Sequence, residues 1–169
     1  MGLMVFGVRR IINQMSDENF SVKINAAEKL ERIRFKNEDD KRAAIEVLIG
    51  ANGGTGIRDE NSFVRGRSAR TLKEIGDGSA IPALIEMADN EEELDLNRSI
   101  ARDAVFKISA REKITFTPDV ERIIEERKRE IAQAEQVLGE GARELARKYG
   151  MQPATAPSLR GAQATTFRH

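Results

Sequence analysis

No cysteine and no tryptophan occur in this chain of 169 residues, one tyrosine is present, and the one histidine is His169, the last residue. Without cysteine there is no disulfide, no thiolate metal site and no cysteine nucleophile. That composition fits a cytoplasmic protein. With histidine confined to His169, a buried Ser–His–Asp arrangement and a histidine metal site are excluded. Seven phenylalanines and a single tyrosine leave the core to aliphatic side chains. No apolar run approaches the roughly 20 residues of a membrane-spanning helix. The apolar stretch from Leu3 to Val8 is short, and Arg9-Arg10 follow it, whereas a signal peptide has its basic residues first. The 28 basic and 28 acidic residues cancel, so the formal net charge is zero. A strongly electrostatic nucleic-acid binder would carry a basic excess.

What the chain does have is clearest between Asp59 and Met87. Val64, Ser68, Leu72 and Ile75 recur at steps of four, four and three, with Ala69 beside them, which places them on one helix face. Asp59, Asn61 or Ser62 can cap the first turn. Gly76 follows Ile75 as a residue type that ends helices in the left-handed conformation. Asp77 and Ser79 are placed to cap a second helix, and Pro82 lies in its first turn, where a missing N–H is tolerated. Ile81, Leu84, Ile85 and Ala88 continue an apolar face. Two short helices cannot bury both faces alone, so this hairpin predicts neighbours of its own kind.

Those neighbours are in the sequence. Asp17-Glu18-Asn19-Phe20-Ser21-Val22-Lys23 matches Asp59 to Arg65 at an offset of 42, and the same offset carries Ala26, Ala27, Leu30 and Ile33 onto Ser68, Ala69, Leu72 and Ile75. A poorer third copy lies 33 residues after the second: Leu96, Arg98, Ala101, Val105 and Ile108 fall on Phe63, Arg65, Ser68, Leu72 and Ile75, while Arg102 replaces the small Ala69. The run Asp59…Val64-Arg65…Ala69…Leu72…Ile75-Gly76-Asp77…Ala80-Ile81-Pro82-Ala83-Leu84 resembles the HEAT-like repeat of the phycobilin-lyase type. The resemblance covers Asp17 to Glu125 and implies an α-solenoid of stacked helix pairs. It does not imply lyase activity, since the same repeat serves as a scaffold in many proteins. Paired His-Glu motifs that bind iron in some similar repeat proteins are missing here, so that chemistry is not carried over.

Around the repeats, Met4, Val8, Ile11 and Met15 form a stripe on a helix from Leu3 to Met15, expected to cap the open end of the solenoid. Ala51-Asn52-Gly53-Gly54-Thr55-Gly56-Ile57-Arg58 is a long loop that accounts for the first spacing. It has no Gly-Lys-Ser/Thr ending and no strand before it, so it reads as an insertion between repeats rather than a phosphate loop. The acidic turn from Asp89 to Asp95 lacks the central glycine and ligand alternation of an EF-hand and suits a helix start. Thr117-Pro118-Asp119 begins a long helix in which Ile124, Ile131, Leu138 and Leu145 recur at sevens. Two readings stand for that stripe: packing on the chain's own solenoid, or a seam for a partner or second copy. Gly139 and Gly141 predict a break or kink.

The sequence therefore predicts an all-α fold: a short α-solenoid of about three stacked helix pairs, with an N-terminal capping helix and a long C-terminal helix. Residues 1–149 form the repeat domain, with repeats at about 17–50, 59–89 and 95–126 and a long helix over 118–149; residues 150–169 form a flexible tail. No catalytic residue, cofactor or metal ligand is singled out. The expected function is that of a non-catalytic protein–protein interaction or scaffold module, offering the groove lined by the second helix of each pair. A nucleic-acid-binding reading rests on Arg58, Arg67 and Arg70, among which Glu60 and Glu74 are interleaved. A lyase-like or chaperone-like helper of a cofactor-bearing partner is a third reading. The candidate partner-binding residues are those three arginines with Ile124, Ile131, Leu138 and Leu145. The expected partner is an unidentified protein, or a second copy bound through the long helix, with no membrane involved.

Overall fold

Three asparagines set helix starts. Asn19 accepts from the Ser21 N–H at 2.9 Å, Asn37 from the Asp40 N–H at 2.7 Å, and Asn61 from the Phe63 N–H at 2.9 Å. Each satisfies a backbone donor that the first helical turn leaves unpaired. In the computed structural model, residues 3–113 and 117–149 are described, with side chains from 7 to 113 and from 117 to 144. Among them are seven α-helices and no strand: α1 (Leu3–Asn13), α2 (Phe20–Arg32), α3 (Glu38–Leu48), α4 (Ser62–Ile75), α5 (Ile81–Asp89), α6 (Asp95–Glu112) and α7 (Pro118–Tyr149). Short 3-10 turns occupy Gln14–Ser16, Gly56–Arg58 and Gly78–Ala80. Among the described residues no helix is long and apolar enough to cross a membrane.

The chain divides into two compact units, Met1–Arg129 and Glu130–His169. In the first, α2, α4 and α6 lie side by side, with α3 packed against α4 and α5 against α6. This is the all-α stack of helix pairs that the repeats predict. One hydrophobic core runs through it from Ile12 to Ile124. Ala26, Ala27, Ala69, Ala101 and Ala104 are fully buried, and such small side chains let neighbouring helices approach closely. The hydroxyl of buried Thr71 donates to the Ala27 carbonyl at 3.0 Å, joining α4 to α2. α1 packs on α2 and α3 and buries Ile12 at one end of the stack, as a capping helix should.

Three local expectations need correction. Gly76 is not left-handed; its φ is −61° and its ψ 163°. Glycine is needed there for space, because a Cβ would lie 2.4 Å from the Leu72 carbonyl oxygen and 3.1 Å from Ile108 Cδ1. The loop after α3 is more than an inserted spacer. Gly50 leaves α3 at φ +86°, and Gly56, at φ +47°, sits so close that a Cβ would lie 1.9 Å from the Leu48 carbonyl oxygen. Ser16 donates to the Gly53 carbonyl at 2.7 Å, tying the loop to the end of the first turns of the chain. Finally, α7 runs unbroken through Gly139 and Gly141. Within the second unit, Ile131 and Leu138 are exposed side chains of that helix. The expected tail at 150–169 and the side chains of Met4 and Leu145 lie outside what is described.

Candidate functional site

The starts of the first helices carry a chain of buried charges. Lys23, on α2, is buried and donates from Nζ to Asp59 Oδ2 at 2.6 Å. Asp59 also accepts from the Thr55 hydroxyl and from the Asn61 N–H, the latter at 2.9 Å. One repeat on, Arg65 holds Glu93 with both ends of its guanidinium, Nε to Oε2 at 2.5 Å and Nη2 to Oε1 at 3.0 Å. Its remaining Nη1 donates to the carbonyls of Asp59 and Glu60, at 2.8 and 2.9 Å. Glu93 accepts in addition from the Leu94 N–H and the Asn97 amide, both at 2.9 Å. Asn97 then donates to the Ser62 carbonyl at 2.9 Å, over Gly66, where a Cβ would lie 2.2 Å from Asn97 Oδ1.

The repeat offsets relate the bases of this ladder. Lys23, Arg65 and Arg98 are equivalent positions, and the first two each reach forward to an acid at the start of the next repeat. Asp17 makes the same turn as Asp59, accepting from the Asn19 N–H at 2.8 Å, but has no preceding base and stays exposed. Burial alone would raise the Asp59 carboxyl; hydrogen bonds from Lys23, Thr55 and the Asn61 N–H, with the charge of Lys23, hold it below its ordinary value. Burial acts the same way on Glu93, and the bonds from Arg65, Asn97 and the Leu94 N–H overcome it. Every carboxylate oxygen in the ladder already has a donor. Such a network holds neighbouring repeats in register. Among the described residues no set of three or more carboxylates is placed to hold a metal ion.

Side-by-side first helices, second helices behind them and a base-to-acid link at each step are the plan of a helical-repeat array. The family model of HEAT repeats matches residues 8–105, more than half of the chain. The chain belongs to the HEAT-repeat family. The match is to HEAT repeats in general, so the finer likeness to the phycobilin-lyase type remains one of motif. None of the curated proteins compared with the chain matches it. HEAT repeats are commonly protein-interaction scaffolds and typically non-catalytic.

The candidate residues of this HEAT-repeat protein are not gathered at one place. Arg58 is exposed and donates to Glu86 of α5 at 2.9 Å. Arg67 is half-buried and donates to Glu31 of α2 at 2.6 Å. Arg70 is exposed and has no ion pair among the described residues. The first two therefore turn toward different helices, each neutralised by a carboxylate. Ile124 is buried in the core of the first unit, whereas Ile131 and Leu138 are 42% and 72% exposed in the second. Leu145 lies on α7, its side chain undescribed.

Two features escaped the sequence reading. Lys23 and Glu93 look like solvated charges, and the repeat offset does not pair them, since an offset of 33 carries Asp59 onto Glu92 rather than Glu93. The second is a row of exposed apolar side chains in the first unit: Phe20 (48%), Phe63 (71%), Leu94 (53%) and Leu96 (70%). All four stand at the starts of α2, α4 and α6. The second-helix surface carries no large exposed apolar side chain among the described residues of the first unit; charged pairs cover it, including Arg42–Asp39, Arg122–Asp89 and Lys128–Glu125.

Proposed function

We propose that the chain is a non-catalytic protein-interaction module whose long helix α7 binds a protein partner, a second copy of the chain being the first candidate. The observation that carries this reading is the exposure of Ile131, Val137 and Leu138 on one helix. Large apolar side chains spaced along a helix and left in water favour association with another apolar face. Ala134 falls between Ile131 and Leu138 at the other seam position, whereas Arg127 and Gly141 supply no apolar side chain to that layer. The membership of a family that commonly acts as scaffold supports the same reading. The nucleic-acid reading draws less support, since Glu86 and Glu31 neutralise two of its three arginines.

The test is size in solution across a range of protein concentration. The native chain is expected to self-associate, and Leu138→Glu, an exposed position, is expected to return it to a monomer, with the melting temperature that the native chain shows when dilute enough to be monomeric. A native chain that stays monomeric at every concentration would reject the second copy as partner.

A further inference from the structure

We infer that the edge formed by the starts of α2, α4 and α6 is a docking surface for a lysine- or arginine-rich protein segment with apolar side chains spaced about 10 Å apart. The exposed Phe20, Phe63, Leu94 and Leu96 lie on this one edge. Their helices are held in register there by the Lys23–Asp59 pair at 2.6 Å and by Asn97 donating to the Ser62 carbonyl at 2.9 Å. Helices packed side by side stand about 8–10 Å apart, so the apolar tips form a row roughly 20 Å long. Single exposed apolar residues need no explanation, but their alignment at successive repeats gives a contiguous face of the kind that binds partners.

The charge beside the row selects the occupant. Asp17, Glu18, Glu60, Glu91 and Glu92 are exposed and have no ion pair among the described residues. The nearby bases are already committed: Lys23 to Asp59, Arg65 to Glu93, Arg58 to Glu86 and Arg98 to Asp95. Helix-dipole stabilisation accounts for acids near helix starts, but it gives no reason for the phenylalanines and leucines among them. An apolar row flanked by unneutralised carboxylates repels nucleic-acid phosphates and anionic lipid, and attracts a cationic polypeptide. This proposal rests on the interaction reading above, yet the two tests fail separately, because one alters the edge and the other alters α7.

The experiment is a fluorescence titration of the full chain with a labelled 15-residue peptide of five Lys-Leu-Arg repeats, beside a Lys-Ser-Arg control. Saturable binding of the first peptide is expected, with the control at least about tenfold weaker. The double variant Phe63→Ser, Leu96→Ser changes only exposed side chains and should weaken the first peptide by at least about tenfold. Glu60→Gln with Glu92→Gln should weaken it and flatten its salt dependence. Each variant is checked for an unchanged melting curve; should the serine variant melt early, the glutamine variant carries the same decision. Equal binding of the two peptides, or binding unaltered by the edge variants, or binding lost instead in Leu138→Glu, would overturn the assignment.

Discussion

Glu93 is the buried acid that ties the second repeat to the third. It receives four donors from Arg65, Asn97 and the Leu94 N–H, and it lies at the junction of two repeats. Glu93→Ala would strand a partly buried guanidinium and a buried amide, and is expected to destabilise the first unit by about 3 kcal/mol, read from urea unfolding. The sign of the pH dependence follows from the depressed carboxyls. Asp59 and Glu93 titrate below the 3.8 and 4.5 that they approach in the unfolded chain. Their stabilisation is therefore complete above about pH 5 and is lost as pH falls through the lowered folded-state values. The melting temperature of the native chain should hold steady down to that pH and then drop. Glu93→Gln should start lower and drop less steeply; an identical acid limb in both would mean that Glu93 does not report on folding. None of this was visible in the composition, because a buried glutamate and a solvated one are the same letter. What distinguishes Glu93 from Glu92 is its distance to Arg65, 28 positions away.

At the scale of the element, local signals were legible and packing signals were not. The Asn61 cap, the first-turn Pro82 and the Thr117-Pro118 start all depend on residues within one helical turn, and each begins a helix or its leading turn where expected. Gly76 misled because its role is set by space, with the Leu72 carbonyl of its own helix closest and Ile108 of a different helix beside it. Gly139 and Gly141 misled because a glycine costs a helix roughly 1 kcal/mol, and that is too little to break one of 32 residues. A Cβ added at either would meet nothing within 4 Å. Gly139→Ala and Gly141→Ala should thus each strengthen α7 by up to about 1 kcal/mol, seen as greater helical circular dichroism on heating. Gly56→Ala should do the reverse. Its positive φ and the Leu48 carbonyl leave no room for a methyl group, so the loop must move or α3 must fray at its end.

At the scale of the whole molecule, the repeats were readable because a spacing of 42 and then 33 aligns the same small and apolar residues. The direction in which the stack presents itself was not, since exposure at the helix starts depends on what the next repeat covers. A stack of this kind is stabilised by contacts between neighbours, and here those contacts are reinforced by the Lys23–Asp59 and Arg65–Glu93 links. Leu72 sits fully buried in the middle helix, whereas Leu138 is exposed. Leu72→Ala is expected to cost about 2–5 kcal/mol, and because the ladder couples the repeats, that loss should be felt by all three first helices together. Leu138→Ala should stay within about 0.5 kcal/mol of the native chain when both are dilute enough to be monomers. Native-state hydrogen exchange separates the cases. Slowly exchanging amides of α2, α4 and α6 should lose the same protection in Leu72→Ala, while exposed stretches of α7 change little. If α2 kept its protection while α4 lost its own, the buried pairs would be local fastenings, and the first unit would unfold one repeat at a time.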